Sequence, residues 1–342
     1  MPSRVGIKRR LWWLALAAPL LAGLDRLPTT PLGLAPRLLD EQLQRAFFQL
    51  RGSRPTPADP LILAIDADSL ELGELLDPSE RQASPLWRQM GAWPWPRALQ
   101  ARLAALVLER GAARVLFNIE YGEPSRFGPA DDRAFAATLA PWRDQVHLAV
   151  RFGVRERGGL EQSRLRLPIH RFGAPGLTTL LQSPWGTVEA LPGQHWIQAQ
   201  LAEFPPPLPR PLAFLARPAP PPAAPMGLNY PGPAGTMAQV PAWKLLEVPA
   251  SVWRGRTVLI GVTAPALGDL QETPVGPMGG TEIQAVALAN VLENRGLRPL
   301  PLWGDGLLLL GWGTLAGLVL RRPASSGRTL QVALALVVVA LL

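Results

Sequence analysis

Two acidic residues that could bind a ligand or a metal ion follow a short apolar run. The run Leu61–Ile65 comes directly after Pro60, and Asp66 and Asp68 come next. A short apolar run between turn residues is typical of a buried strand, and ligands of open α/β sheets bind beyond the carboxyl ends of the strands. Alternatively, such carboxylates bond their own backbone in a strand-end turn, and Asp68 caps a short helix beginning at Ser69.

The same Asp-x-Asp spacing after a strand resembles the first motif of haloacid-dehalogenase-type phosphatases. In that motif the first carboxylate, here Asp66, attacks phosphorus and the second moves a proton. Thr263 and Asp269 stand where the second and fourth motifs would be. However, Thr273 occupies the position of a second acid, and Lys244 would have to serve as the required lysine. Half of the pattern is missing, so a phosphatase is the alternative that the sequence favours least.

The segment from Trp93 to Arg97, with the sequence Trp-Pro-Trp-Pro-Arg, is the second candidate site. Pro96 suits the first turn of a following helix, so Trp93 and Trp95 either cover the end of the sheet or form the aromatic wall of a ligand pocket. In the second case, Arg97 is presented near the amino end of the helix. The predicted ligand-binding residues are therefore Asp66, Asp68, Trp93, Trp95, Arg97 and Asp269.

The residue types that most enzymes use are scarce or lack the required spacing. The chain has no Cys, and its three histidines, His147, His170 and His195, share no metal-binding spacing. Neither a Gly-rich phosphate loop in its strand–helix context nor a Gly-x-Ser-x-Gly motif occurs in the sequence. We therefore predict no catalytic residue, no metal site and no cofactor, and expect that the protein is not an enzyme.

The positive charge comes almost entirely from arginine. Lys and Arg total 34 against 26 Asp and Glu, a formal net charge of +8, and Lys8 and Lys244 are the only lysines. The arginines are scattered, whereas nucleic-acid proteins gather them on one stripe with aromatic residues between them. Together with 39 Pro and 32 Gly, this composition indicates a coding bias, and we expect no nucleic-acid partner.

The elements that must position these residues alternate between strands and helices. In chain order they are Leu61–Ile65, Pro96–Arg110, Val115–Ile119, a helix from Asp131 or Asp132 to just before Pro141, and Val146–Val150. Such alternation predicts an α/β fold with a mixed, largely parallel sheet and flanking helices.

The second half of the chain is less regular. Gly153–Arg171 favours hairpins, and the proline-rich residues 205–225 predict a surface loop in extended conformation. Thr257–Val262 reads as a strand, and a helix is predicted over Thr281–Asn294.

Apolar segments at both ends predict transmembrane helices. The basic residues 1–10 precede an uncharged apolar run, which predicts a signal anchor at 11–30, with a cleaved signal peptide or a surface helix as alternatives. A second span is predicted at 304–320, and residues 330–342 are too few for a complete one. The positive-inside rule places both basic flanks in the cytoplasm and residues 36–301 outside it.

A set of motifs, in the same order, resembles the CHASE domain of the second type over roughly residues 40–301. The motifs are Ile65–Leu70, Trp93–Arg97, Gly111-Ala112, Glu123–Arg126, Asp131-Asp132, Asn229–Pro233, Gly255–Gly261, Gly268-Asp269, Thr273-Pro274 and Gly280–Ala285. The resemblance implies an extracytoplasmic sensory module between membrane spans. It also implies a cytoplasmic output module, a cyclase or a kinase, which we expect to be absent from this chain.

Two positions depart from the pattern of that family. Asn118 stands where the second strand commonly has Asp, and Gln284 stands where the helix after Gly280 commonly has His. If these positions help to bind the ligand, then this chain has lost charge at both, so its ligand differs or its site has decayed. The resemblance names no ligand.

The leading prediction is a sensor domain of a bacterial signalling protein, anchored in the inner membrane. Its expected partners are the lipid bilayer, a small-molecule ligand, and a cytoplasmic output module or partner kinase or cyclase. A homodimer is expected by analogy, because output cyclases and kinases work as pairs. The alternative is a structural or interaction protein of the cell envelope that does not switch on ligand binding.

Overall fold

The computed structural model of the protein describes residues 31–157, 160–267, 270–298 and 311. The chain divides into two compact units, of which Gly52–Arg298 forms one. In the other unit the structure describes helix α1, Pro31–Arg51. The predicted segments 1–10, 11–30, 304–320 and 330–342 lie outside the described residues, apart from Gly311. Among the helices that are described, none has the length and apolar character of a membrane span.

The strands of the unit Gly52–Arg298 are, in chain order, β1 (Leu61–Ile65), β2 (Arg114–Glu120), β3 (Val146–Arg157), β4 (Leu160–Arg166), β5 (Gly176–Leu177), β6 (Leu181–Gln182), β7 (Val188–Leu191), β8 (Arg210–Pro211), β9 (Met226–Gly227), β10 (Gln239–Pro241), β11 (Thr257–Val262), β12 (Leu270–Gln271) and β13 (Met278–Gly279). Its helices are α2 (Ala67–Leu70), α3 (Leu72–Leu75), α4 (Pro78–Ala83), α5 (Arg97–Glu109), α6 (Pro129–Leu139), α7 (Gln194–Gln200) and α8 (Gly280–Leu292).

A largely parallel sheet organises this unit and confirms the α/β prediction. The strand order is β10-β1-β11-β2-β3-β5-β8, and each neighbouring pair on this path is parallel. The strand β4 pairs antiparallel with the outer part of β3 and forms a hairpin. The strand β11 comes from late in the chain yet lies between β1 and β2. The centre of the sheet therefore depends on pairing between distant parts of the sequence.

Both faces of the central strands are covered, which explains their continuous apolar sequences. Every residue of Leu61–Ile65 is buried. Leu63 and Ile260 pack in a cluster with Leu103 of α5 and Phe135 of α6. Because successive side chains of a strand point to opposite faces, Gly261 faces the other side, and a Cβ there would meet Thr281 of α8.

The predicted elements of the first half are confirmed within a few residues, and one prediction in the second half was wrong. Within the proline-rich segment 205–225, Arg210–Pro211 is the edge strand β8. Directly after it, the 3-10 helix Leu212–Ala216 is buried throughout. The prediction of a surface loop failed because the proline signal hid this apolar stretch, which packs against β5 and α8.

A second difference concerns the turn after β1. The short helix α2 begins at Ala67, and its N-cap is Asp66 rather than Asp68. The Asp66 carboxylate accepts a hydrogen bond from the Ser69 backbone N–H at 2.9 Å and one from the Ser69 hydroxyl at 2.5 Å. Asp68 lies in the first turn of α2 and is exposed.

Candidate functional site

A cleft of about 860 Å³ opens at the carboxyl edge of the sheet. Asn118 from the end of β2 and Val262 from the end of β11 line it. These two strands are neighbours, yet the helices that follow them, α6 and α8, pack on opposite faces of the sheet. Such a switch point leaves a crevice beyond the strand ends, which is where open α/β sheets bind ligands.

The aromatic segment before α5 forms one wall of this cleft. Trp93 and Trp95 both line it, with ring centroids 6.2 Å apart. Trp95 is 2% exposed, and its indole N–H donates to the carbonyl of Gly91 at 2.6 Å. The carbonyl of Trp95 accepts a hydrogen bond from the Gln100 side chain at 2.8 Å. Trp95 is thus held in place by contacts within the protein, and the half-buried Trp93 forms the more exposed part of the wall.

Arg97 also lines the cleft, but its guanidinium is bound by other residues of the protein. Its guanidinium forms an ion pair with Asp132 and donates to the backbone carbonyl of Glu123. It also lies over the ring of Tyr121, with 5.3 Å between Cζ and the ring centroid. Arg97 therefore ties the loop after β2 to the start of α5.

Two titratable groups complete this polar network. His170 Nε2 lies 3.2 Å from an oxygen of Asp132. Burial lowers the pKa of His170, and this effect outweighs the opposing influence of Asp132. Burial alone would raise the pKa of Asp132, but hydrogen bonds from the Ser125 backbone and from Arg97 hold it below its usual value. At neutral pH the network therefore contains an ionised Asp132 and an uncharged His170.

Gln284 lines the cleft from α8 and is 3% exposed. Its Nε2 donates to the carbonyl of Thr178 at 2.8 Å, which fixes the orientation of the amide. Its Oε1 is buried, with almost no accessible surface, and accepts no hydrogen bond from any described residue. The hydroxyl oxygen of Thr179, another lining residue, is likewise buried without a partner in the described part of the chain.

The departures at residues 118 and 284 thus lie in the same cleft. The Asn118 side-chain amide donates to the Thr281 hydroxyl at 3.0 Å, and that hydroxyl donates to the carbonyl of Val262 at 2.8 Å. Thr281 is one turn before Gln284 on α8. These contacts join the strand ends to the amino end of the helix.

Charged side chains also line the cleft. Glu120 forms ion pairs with Arg151 at 2.9 Å and with Arg166 at 3.7 Å. Arg126 is exposed, and its guanidinium lies 4.9 Å from the centroid of the Phe127 ring. The hairpin of β3 and β4 supplies both Arg151 and Arg166, so this hairpin forms one side of the opening.

The structure brings together some of the predicted site residues and separates others. Trp93, Trp95 and Arg97 line the cleft. Asp66 caps α2, and neither it nor Asp68 is among the residues that line the cleft. Asp269 lies outside the described residues.

In the sequence, Gln284 stands out only as a departure from a family pattern. The available signal was a lone amide between apolar neighbours on a buried helix, since Ile283 and Ala285 are both fully buried. Thr179, Glu120 and the hairpin arginines gave no local signal, because long-range strand pairing brings them to the cleft. Among the described residues, no group of His, Asp and Glu side chains has an arrangement that could hold a metal ion.

The fold and the cleft define a class of protein: a largely parallel α/β domain with a crevice at the switch point of its sheet. The sequence model of the CHASE2 domain matches residues 18–318, and the chain belongs to this family. CHASE2 domains are extracytoplasmic sensory domains. Comparisons with curated proteins and with solved structures found no match.

Proposed function

We propose that the protein is a membrane-anchored sensor of a bacterial signalling system, and that its cleft binds a small ligand outside the cytoplasm. Membership of the CHASE2 family supports the sensory role and the location. The predicted spans at 11–30 and 304–320 support attachment to the inner membrane. The predicted output is a cyclase or kinase module in the cytoplasm, encoded with this chain or supplied by a partner.

One observation carries the proposal of ligand binding. A buried acceptor without a donor costs about 1–3 kcal/mol of stability, and Gln284, a residue that lines the cleft, holds such an atom in its Oε1. A ligand that donates a hydrogen bond to it recovers that free energy. Under this proposal, the free protein bears the cost because the atom contributes to ligand binding.

The same residue connects the cleft to the predicted membrane span. Gln284 lies on α8, and the chain continues from the end of α8 to the segment 304–320. A ligand that contacts Gln284 shifts the equilibrium between two arrangements of α8 by the difference in its affinity for them. In a homodimer, such a shift would move the two spans relative to each other and regulate the output.

Thermal unfolding of the purified full-length chain in lipid nanodiscs tests the proposal. A panel of sugars, amino acids, organic acids, nucleosides and metal salts should contain a compound that raises the unfolding temperature of the wild type, since a ligand bound to the folded state stabilises it. The variant Gln284→Met should lose that shift, and Gln198→Met on the exposed side of α7 should keep it. If no class of compound stabilises the wild type, a structural role in the envelope replaces the sensory one.

A further inference from the structure

We infer that the cleft binds an uncharged polyhydroxyl ligand, a sugar, through a hydroxyl that donates to Gln284 Oε1. This inference rests on the proposed sensory function and names the chemical class of its ligand.

The requirement for a donor follows from the fixed orientation of the Gln284 amide. Its Nε2 donates to the Thr178 carbonyl at 2.8 Å. Exchanging the two amide atoms would place an oxygen against that carbonyl, so the unpartnered atom is an acceptor. A ligand partner must therefore carry an O–H or N–H group. Because Oε1 is buried in the free protein, lining side chains must move to admit that group from the cleft.

Charge in and around the cleft argues against an ion as the ligand. Among the described residues, the lining holds four arginines and two carboxylates, and the polar network behind it adds two more carboxylates. The arginines are Arg97, Arg126, Arg151 and Arg166, and the carboxylates are Glu120, Glu123, Asp131 and Asp132. Three of the arginines already have an ion-pair partner. Arg126, the fourth, is exposed and could pair with an anion only in a solvent-accessible part of the cleft. A charged group held against the buried Gln284 amide would displace an existing pair or lack a counter-charge, which is costly.

Uncharged polar residues line the cleft as well. Asn118, Thr178 and Thr179 contribute amide and hydroxyl groups to the lining, and Gln284 contacts the carbonyl of Thr178. The buried Thr179 hydroxyl has no partner in the described part of the chain, and it can donate or accept. Amide and hydroxyl groups with both capacities match the hydroxyls of a sugar, each of which donates once and accepts twice.

The aromatic wall provides the complementary apolar contact. Trp93 lines the cleft and is backed by the buried Trp95, whose ring centroid is 6.2 Å away. One face of a sugar ring presents C–H groups while its hydroxyls project from the edge. A cleft with an aromatic wall on one side and uncharged polar groups on another fits such a molecule.

Titration calorimetry on the full-length chain in nanodiscs tests this inference. The probes are glucose, galactose, N-acetylglucosamine, inositol and a soluble trisaccharide, with glutamate, arginine and inorganic phosphate as charged comparators. At least one uncharged probe should bind, and its affinity should fall about tenfold or more in Gln284→Met. Tighter binding of the trisaccharide would indicate a glycan, whereas tighter binding of a monosaccharide would indicate a free sugar.

Further variants separate binding from folding. Thr179→Val keeps the shape of the side chain, removes only the unpartnered hydroxyl and should also weaken sugar binding. Asn290→Ala removes a buried amide on the same helix that pairs with Asn229; it should lower the unfolding temperature yet leave the sugar affinity unchanged.

The possible failures are distinguishable. If a charged comparator binds in a manner that depends on Gln284 and no sugar does, the ligand class is wrong and the sensory function stands. If sugars bind equally well to the wild type, Gln284→Met and Thr179→Val, the assigned contacts are wrong. If nothing in either this set or the wider panel binds, both the ligand class and the proposed function fall.

Discussion

Asp131 in the first turn of α6 accepts a hydrogen bond from the backbone N–H of Arg97 at 2.8 Å. Its other oxygen accepts from the N–H of Ala98 at 2.9 Å. The carboxylate thus satisfies two of the free N–H groups at the amino end of α5, as a side chain of the helix itself normally would. The position normally occupied by a capping side chain is Pro96, which makes no side-chain cap. The cap therefore comes from a different helix and fixes the aromatic wall to α6.

Replacing this carboxylate should destabilise the protein strongly. Asp131→Ala removes both backbone hydrogen bonds and the one accepted from the Ser125 hydroxyl at 2.6 Å. Loss of a cap costs about 0.5–2 kcal/mol, and stranded buried donors add to it, so we expect a loss of about 2–3 kcal/mol in the free energy of unfolding by urea.

The matched control removes a carboxylate from the surface of α5. Glu109 pairs with Arg102 at 3.0 Å, and both side chains are largely exposed. Glu109→Ala should change the free energy of unfolding by less than about 1 kcal/mol, because exposed ion pairs contribute little. Equal losses in the two variants would contradict the cap from α6.

The stability of the protein should fall as the pH drops from about 7 to about 5. Burial lowers the pKa values of His147 and His170 in the folded state. The unfolded chain then binds more protons than the folded one below the unfolded pKa of about 6.5. This stabilisation is fully present above that pH and is lost as the pH falls toward the folded pKa values.

Single variants assign this pH dependence. His170→Gln should flatten the curve of unfolding free energy against pH, and the exposed His195→Gln should leave the slope unchanged. Unfolding in urea at several pH values measures both. A wild-type stability that is constant or rises over this interval would show that His170 is not held uncharged by burial.

The close approach of α8 to the sheet depends on Gly261. A Cβ at this position would lie 2.7 Å from Cγ2 of Thr281 and 3.2 Å from Cβ of Asn118. Gly261→Ala should therefore cost about 1–3 kcal/mol. Thr281→Ala should also destabilise on its own, because the hydrogen bonds with Asn118 and with the Val262 carbonyl are lost.

The double variant provides the test. Gly261→Ala together with Thr281→Ala should be destabilised by less than the sum of the single effects, since the second change removes the atoms that clash. Gly279→Ala is the control, because nothing lies within 4 Å of an added Cβ there and its φ is −67°. Strict additivity would mean that α8 does not rest on Gly261.

Much of the fold was predictable from local sequence signals. Strand β1 is predictable from the apolar run Leu61–Ile65, and α5 from its periodic apolar residues, because each signal lies within a few adjacent residues. The placement of β11 between β1 and β2 was not predictable in this way. It depends on pairing between residues far apart in the chain, for which a single sequence carries no local signal.

The site residues likewise include some with a local sequence signal and some whose role depends on long-range packing. Trp93, Trp95 and Arg97 were predicted because proline and aromatic residues are conspicuous before a helix. The ion pair that Arg97 forms was not predictable, because its partner Asp132 is brought to it by the packing of α6 against α5. Asp66 satisfies a local turn, as the alternative interpretation of that motif allowed.

The most direct test of the account is the side of the membrane on which the α/β domain lies. The chain has no Cys, so Gln182→Cys, at an exposed position, introduces a single thiol. In intact cells a membrane-impermeant maleimide should label it, whereas Ser3→Cys in the basic amino-terminal segment should react only after the membrane is permeabilised. Labelling of Gln182→Cys only in permeabilised cells would place the domain in the cytoplasm and contradict an extracytoplasmic sensor.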